Sequence, residues 1–443
     1  MTTHSNSQYN PLVHKKRTLK VAFYTLGCKL NQAETESLIA QFHEAGYQPV
    51  SPNDVADIYI ANTCTVTHIA DRKSRHWLRL VKRRNPRALT IATGCYAQRI
   101  PQELTPIADL VLDNEEKENL VEIIESISPE IEPLQIQPVA TQNSTFRIRS
   151  LVKIQDGCDS HCAYCIVPKV RNHQFCLPAS EIISTIQEKV AMSYREVILT
   201  GTKIGCYKDD STDLVSLIKH ILSNTEIERL RLSSLQPQEL SPALLALWQD
   251  KRLCPHFHLA LQSGSDTMLK RMRRHYSRHD YRRVTELIRQ TIPRVAITTD
   301  VIVGFPGESD EEFEQTYNFC HQVGFANIHV FPFSPRPGTE AAEMLDQVSD
   351  KVKKERTQKM LELSQSCRHS FREQFLGQTI DVLWEKETIP GSSIYSGLTD
   401  NYVRVFTQSE KSLTNKIAKV KLTAVHGQGM WGELVENSSQ GKA

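Results

Sequence analysis

Short apolar runs alternate with amphipathic ones from Lys20 onward. K-V-A-F-Y-T-L (Lys20 to Leu26) reads as a buried strand, and G-C-K-L-N-Q leads into a helix through about Glu44 with Leu38, Ile39 and Phe42 on one face. D-I-Y-I-A-N-T-C-T-V-T repeats the unit and precedes a basic helix from about His68. A-L-T-I-A-T-G-C-Y-A-Q repeats it again, and D-L-V-L-D (Asp109 to Asp113) with a helix from Glu115 to about Ile127 ends the series. Alternation of this kind predicts a parallel α/β sheet. The composition then shifts, because residues 128–145 are rich in Pro, Gln and Ser and read as a linker.

A second α/β series begins at Arg149. Strand patterns fall near 149–155, 196–201, 229–235, 257–262, 296–304 and 327–333, with helical patterns between them. Six such units match a partial (β/α)6 barrel rather than a closed eightfold one. A long charged helix from about Lys351 to Phe375 reads as a barrel-closing and bridging element. Beyond it, T-I-D-V-L-W, I-Y-S-G-L-T, N-Y-V-R-V-F, K-I-A-K-V-K-L-T-A-V and M-W-G-E-L-V are five short β-like runs. They predict a small β-barrel of a kind that often binds nucleic acid. The expected organisation is α/β throughout the first two units: 18–128, a linker at 129–145, 146–370, and the β-rich unit 371–437.

Composition refines this picture without redirecting it. The 443 residues carry 53 basic and 51 acidic side chains, a formal charge of +2, so no global field demands a nucleic-acid partner and local patches must carry that argument. No run of about 18 apolar residues suggests a membrane span. The opening M-T-T-H-S-N-S-Q-Y-N-P-L-V-H-K-K-R has no apolar core, and the first 17 residues read as a disordered tail. Eleven cysteines in a long charged chain without a leader indicate a reducing, cytoplasmic setting.

The cysteines carry the chemistry. Cys158, Cys162 and Cys165 place three thiols within eight residues. Converging thiolates suit zinc or an iron-sulfur cluster, and C-x3-C-x2-C is a single three-cysteine loop able to hold a cubane by three corners. Cys28, Cys64 and Cys95 stand apart in sequence, each at the carboxyl end of a predicted strand, the edge where open parallel sheets bind ligands. Taken singly each is a small buried hydrophobe; their recurrence in three βα units points to a shared site, with zinc as the alternative. Polar and glycine-rich turns L-T-G-T-K-I-G, L-Q-S-G-S and V-I-V-G-F-P-G-E follow other strands and suit a cofactor close to the backbone.

With L-G-C-K-L-N-Q-A-E, N-T-C-T-V-T, T-G-C-Y-A-Q, L-Q-S-G-S-D, M-L-K-R-M-R-R-H-Y, D-V-I-V-G-F-P-G-E and F-S-P-R-P-G-T beside the central loop, the chain from about Lys20 to Val435 resembles the radical S-adenosylmethionine (SAM) methylthiotransferases. G-C-K-L-N-Q, N-T-C-T-V-T and G-L-T-D-N-Y-V-R-V look most like the branch acting on threonylcarbamoyladenosine beside the tRNA anticodon. The resemblance implies an amino-terminal methylthiotransferase domain, a radical-SAM barrel and a carboxyl-terminal TRAM domain. It implies two [4Fe-4S] clusters and SAM as cofactors. Cys158, Cys162 and Cys165 would hold the SAM-cleaving cluster, and Cys28, Cys64 and Cys95 an auxiliary one that carries sulfur, with two SAM consumed per product. Tyr164, Thr200, Gly201, Thr202, Gln262, Ser263, Val301 and Gly304 would line the SAM pocket. The implied partners are a tRNA anticodon stem-loop and an electron donor such as flavodoxin or ferredoxin, with neither DNA nor membrane involved.

Within the same chemistry, isopentenyladenosine of tRNA and a ribosomal-protein aspartate are alternative acceptors; a zinc-bearing RNA-binding protein is the alternative of another class. The sequence departs from the family after the central loop, where it reads V-R-N-H-Q-F-C-L-P with Arg171 kept, and at S-S-L-Q-P, where Gln236 stands for a carboxylate. In the tail Arg404, Lys416, Lys419 and Lys421 alternate with apolar residues, and Tyr402 or Trp431 would stack on a base. The basic runs Asp71 to Arg84 and Lys270 to Arg278 read either as phosphate contacts or as solvated faces. His256 and His258 read as barrel-lining residues, and Cys176, Cys206, Cys254, Cys320 and Cys367 as structural or incidental.

Overall fold

The computed structural model describes residues 18–127 and 148–435. The expected amino-terminal tail and the linker lie outside the described residues. Strands β1 (Lys20–Thr25), β2 (Gln48–Val50), β3 (Ile58–Thr63), β4 (Leu89–Gly94) and β5 (Leu110–Val111) form a parallel sheet in the order β2-β1-β3-β4-β5. The three long strands are adjacent and end level, with Thr25 opposite Asn62 and Thr63 opposite Gly94. Helix α1 (Lys29–Glu44) follows β1 and helix α2 (His68–Arg84) follows β3. Leu38 and Phe42 of α1 are buried with Val21, Ile58 and Ile60 of the sheet, while Trp77, Leu78 and Val81 of α2 close the other face.

The second unit contains β6 (Arg149–Asp156), β7 (Phe175–Cys176), β8 (Glu196–Gly201), the small hairpin β9 (Lys208–Asp209) and β10 (Thr212–Asp213), and β11 (Arg229–Leu232). It continues with β12 (Ser234–Leu235), β13 (His256–Leu259), β14 (Ala296–Val303) and β15 (Asn327–Pro332). These run as two sheets, β11-β8-β6-β7 and β12-β13-β14-β15, that together form the open arc of a partial barrel. The expected 229–235 strand is split because its two halves serve different neighbours: Ser233 N–H still reaches Leu199 O, whereas Leu235 pairs with Leu259 of β13. The antiparallel β7 on β6 is too short to leave a periodic signal, and it occupies the stretch where the sequence departs from the family.

Alternation along the barrel strands sorts their side chains. Val152, Val197, Leu230 and Phe257 pack outward against the helices. Leu151 and Ile198 point inward, where they meet Ala33 of α1, so the first helix of the first unit lies against the concave side of the barrel. The helix Asp350–Glu373 packs along β15, as expected of a closing element.

Five strands, β16 (Thr379–Glu387), β17 (Ile394–Thr399), β18 (Arg404–Gln408), β19 (Ile417–His426) and β20 (Gly429–Leu434), close a barrel in the order β16-β17-β18-β20-β19 around Trp384, Val405, Val420 and Met430. This barrel sits at the amino-terminal end of the larger one. Arg229 donates to Leu398 O and Asp381 O, Asn401 to Arg294 O and Asn415 to Ser193 O. Among the described residues no helix is long and apolar enough to cross a membrane.

Candidate active site

Cys28, Cys64 and Cys95 stand immediately past the ends of three adjacent, level strands, which brings together residues far apart in sequence. Gly27 makes room for them. Its backbone has φ +108°, and a Cβ there would lie 2.8 Å from Cys64 Cβ and 3.0 Å from its Sγ. Asn31 organises the turn, donating to Leu26 O and Thr63 O across the strand ends. Cys64 and Cys95 are buried, and Cys28 is open to solvent.

The second set lies on the loop after β6. Cys165 N–H bonds back to Cys162 O, Ala163 N–H to Met272 O, and Ala341 N–H to Ala163 O, so the loop is held from two other segments of the barrel. Arg274 donates from Nη1 to Cys162 Sγ at 3.2 Å. Burial pushes the Cys64 and Cys165 thiols up to about 12. As free groups these two are neutral thiols, and a bound metal's field is what deprotonates such a ligand.

Among the described residues no three His, Cys, Asp or Glu side chains stand close enough to share one metal ion. Tetrahedral zinc would need its thiolates roughly 3.8 Å apart. A polynuclear cluster spreads its ligands over several irons, and six soft thiols in two sets of three are a donor set suited to iron-sulfur chemistry.

The two sets face each other. Cys95 packs with Ile166, the neighbour of Cys165, and with Val170. Behind this contact lies a buried ionic hub. Arg171 donates to Asp156 (2.7 Å) and Glu34 (2.8 Å) and to Asn31 Oδ1 (2.9 Å). Lys117 adds a 2.6 Å bond to Glu34, and Lys153 a 2.9 Å pair with Asp156. Burial would raise the Glu34 and Asp156 carboxyls, but Lys117, Arg171 and Lys153 outweigh it at Glu34, and Arg171 and Lys153 at Asp156, and hold both below the usual carboxylate range. A second interdomain cluster pairs Asp71 with Arg336 (2.7 Å) and Arg99 (3.0 Å), while Arg336 also reaches Thr65 O beside Cys64.

The expected SAM-pocket residues are distributed unevenly. Tyr164 sits with Ala163, Met268, Met272 and Phe305 at the cysteine loop. Thr200 shares the inward face of β8 with Ile198, Thr202 Oγ1 bonds Asp156 Oδ1 at 3.3 Å, and Gly201 lets β8 approach Gln155 O. Gln262 has φ +68° and exchanges backbone bonds with Asp300 and Ile302 at the strand ends. Three residues are engaged elsewhere. Ser263 is buried with its hydroxyl on Thr316, the Val301 side chain lies in the outer core, and the Cβ direction of Gly304 is filled by Lys353.

In the tail, Lys416, Lys419 and Lys421 are exposed, whereas Arg404 is tied to Glu385 at 2.9 Å. Trp431 packs edge-on to His426, which also meets Phe406. Tyr402 departs from the expectation of a base-stacking residue, because its ring stacks on His256 at 4.8 Å and its hydroxyl receives a bond from Arg149. His256 and His258 line the barrel as expected, His258 pairing with Asp300 at 3.2 Å.

Of the basic run Lys270 to Arg278, Arg271 binds Gly307 O, Arg278 pairs with Asp266, and Arg274 turns in onto Cys162. Lys270, Arg273 and Arg274 with Lys203 line an open cleft of about 580 Å³ beside the cysteine loop. Along α2, Arg75 and Lys82 are paired with Glu103 and Asp109, and Arg72, Lys73, Arg79 and Arg83 are exposed. The sequence marks Glu34, Asn31 and Arg336 only as ordinary helix and loop positions, and Arg274 only as one member of a basic run.

Two family descriptions match this architecture: "Uncharacterized protein family UPF0004" over residues 20–113 and "Radical SAM superfamily" over residues 152–320. The chain is 35% identical to threonylcarbamoyladenosine tRNA methylthiotransferase MtaB of Bacillus subtilis (strain 168), across 94% of this chain and 97% of that protein. It is 36% identical to the MtaB protein of Aquifex aeolicus (strain VF5), across 91% and 100%. With tRNA-2-methylthio-N(6)-dimethylallyladenosine synthase of Syntrophotalea carbinolica it shares 31%, across 94% and 100%. The fold is similar to the radical SAM methyltransferase TsrM from Kitasatospora setae, with a TM-score of 0.54 at 12% identity over 74% of this chain and 77% of that one. Three thiols on the first barrel loop, three more on a facing sheet edge, and full-length relatives of one chemistry agree: the chain belongs to the radical-SAM methylthiotransferase family.

Proposed function

We propose that this enzyme converts N6-threonylcarbamoyladenosine at position 37 of tRNA, 3′ of the anticodon, to its 2-methylthio derivative. The observation that carries the reading is the face-to-face placement of two three-cysteine sets, with Cys95 packed on the residue after Cys165. Cys158, Cys162 and Cys165 would hold one [4Fe-4S] cluster and Cys28, Cys64 and Cys95 the other. Bound there with SAM, these groups would supply a reducing electron, a 5′-deoxyadenosyl radical and the sulfur that an unreactive C–H carbon needs.

The chain's own residues hold and shield this chemistry. The Arg274 guanidinium donates to the Cys162 sulfur, and Tyr164 with Met268, Met272 and Phe305 makes an apolar wall behind the loop. Arg171 joins Asn31, three residues from Cys28, to Asp156, two residues from Cys158, and so fixes the spacing of the two sets. Thr200, Gly201, Thr202 and Gln262 stand at the strand ends where such barrels bind their reactants, and a backbone contact is the form in which Ser263, Val301 and Gly304 would take part.

The acceptor is assigned on the two MtaB relatives and on G-C-K-L-N-Q and N-T-C-T-V-T. Lys416, Lys419 and Lys421, with Trp431 nearby, would meet the anticodon stem-loop, and Arg404 would support that surface through Glu385. Flavodoxin or ferredoxin would supply electrons in the cytoplasm. Residues 18–128, 146–370 and 371–437 would form the three domains about the 129–145 linker. Nucleoside mass spectrometry of tRNA from a deletion strain tests the assignment. Loss of the methylthio form of threonylcarbamoyladenosine alone is expected, and loss of the isopentenyl derivative instead would overturn it.

A further inference from the structure

The inner floor of the larger barrel carries an arrangement of charge that neither cysteine set uses. Lys29 follows Cys28 and opens α1, and its ammonium is within electrostatic reach of Tyr402, Arg231, Arg149 and Glu196. His256 and His329 feel it as well. The carboxylates at this level are already committed. Glu196 is shared by Arg231 at 2.8 Å and Arg229 at 4.0 Å, Glu385 by Arg149 and Arg404, and Asp300 faces His258. Among the described residues no hydrogen bond or ion pair holds the Lys29 ammonium, and Arg231 Nη1 and His256 Nδ1 are buried without a partner.

The titrating groups report the same imbalance. Burial would raise the Tyr402 phenol, yet Arg149, Lys29 and Arg231 bring it below its ordinary value. Burial first, and then Arg231 and Lys29, press His256 towards its neutral form. Lys29, Arg149, Arg229, Arg231 and Arg404 stand against the three carboxylates of Glu196, Glu385 and Asp300, an excess of cationic side chains that suits an anion. Towards the carboxyl ends of the strands this face reaches solvent. Cys28 and His329 are exposed, and Phe331, two residues on from His329 along β15 and so on the same face, leaves 43% of its surface uncovered.

We infer that this floor is a carboxylate site, in which Lys29 binds the threonyl carboxylate of the N6 substituent while Phe331 meets the base at the mouth. The inference rests on the substrate reading above and deepens it. C2 and the N6-bearing carbon belong to the same six-membered ring. A base that offers C2 to the Cys28 set therefore sends its N6 chain within reach of the next residue's four-carbon stem. The same geometry disfavours an apolar isopentenyl chain, which would cover a cation without neutralising it.

The test compares anaerobically reconstituted full-length enzyme with Lys29→Met and Lys29→Arg variants at matched iron content. The probes are an anticodon stem-loop bearing threonylcarbamoyladenosine and the same stem-loop with unmodified adenosine. The wild type is expected to prefer the modified RNA by roughly ten- to a hundredfold, the range of one hydrogen-bonded charge. Lys29→Met should abolish the preference without weakening the unmodified stem-loop, and Lys29→Arg should retain most of it. Undiminished preference in Lys29→Met overturns the inference. Equal weakening of both RNAs overturns it in favour of a backbone phosphate on Lys29. A wild type that neither prefers nor methylthiolates the modified RNA overturns the substrate reading, and the inference with it.

Discussion

Arg171 shows how much can rest on a single side chain. It is buried, and its guanidinium bonds Glu34 and Asn31 from one domain and Asp156 from the other. Arg171→Met would leave two buried carboxylates short of their shared donor, at an expected cost of about 3–5 kcal/mol in denaturant unfolding near neutrality. Both carboxyls titrate below their unfolded values, so the stability they confer is complete above an ordinary carboxylate pKa of about 4 and fades as pH falls through the depressed values. The gap between variant and wild type should therefore narrow in acid. A gap independent of pH would show that lost packing, rather than the ion pairs, sets the cost. Arg171 was visible in the sequence only as a retained basic residue in an atypical flank; its partners come from α1 and from β6, and no local pattern announces a contact over that separation.

At the scale of elements, the strand series was legible because buried parallel strands are short apolar runs that end in turn residues. Cys28, Cys64 and Cys95 could be placed at strand ends for the same reason, and the sheet order β1-β3-β4 then made them neighbours. The run Lys270 to Arg278, which the sequence leaves open between phosphate contacts and a solvated face, does not lie on one helix. It is two elements: a helix ends at Arg271, Arg273 turns the chain with φ +57°, and Ser277 with Asp280 caps the next helix. That capping box was a usable signal for the break, and the break is what sends Arg274 inward to Cys162. Close approach at the strand ends yields a prediction of its own. Gly27→Ala adds a methyl against Cys64 at a positive φ, so the protein should fold and keep iron at the 158–165 loop while losing iron from the sheet-edge set. Unchanged iron content and an unchanged cluster spectrum would contradict the assignment of that set.

Across the whole molecule, the small barrel has two distinct faces, one docked and one open to solvent. Arg229, Asn401 and Asn415 mark the side docked on the larger barrel, and Lys416, Lys419 and Lys421 remain exposed. Composition gave no warning of this division, since a net charge of +2 hides a local patch. Replacing the three lysines by Gln should weaken modified and unmodified stem-loops alike and reduce the salt slope of binding by about 0.7 for each lost contact to a single-stranded phosphate. Tyr402 belongs to the docked side, which explains why its aromatic ring was a false lead for base stacking.

On the assignments proposed above, helix α1 would carry cluster ligation and substrate reading on the same rod that docks the domains: Cys28 at its cap, then Lys29, Asn31, Ala33 and Glu34. Each added residue would turn the rod by about 100° and advance it by about 1.5 Å. A single insertion between Cys28 and Glu34 would therefore uncouple the three tasks at once, whereas exchanging Lys29 leaves the rod in register. Length variation along this stretch is closed as a route to new acceptor preference; side-chain replacement is the route that stays open.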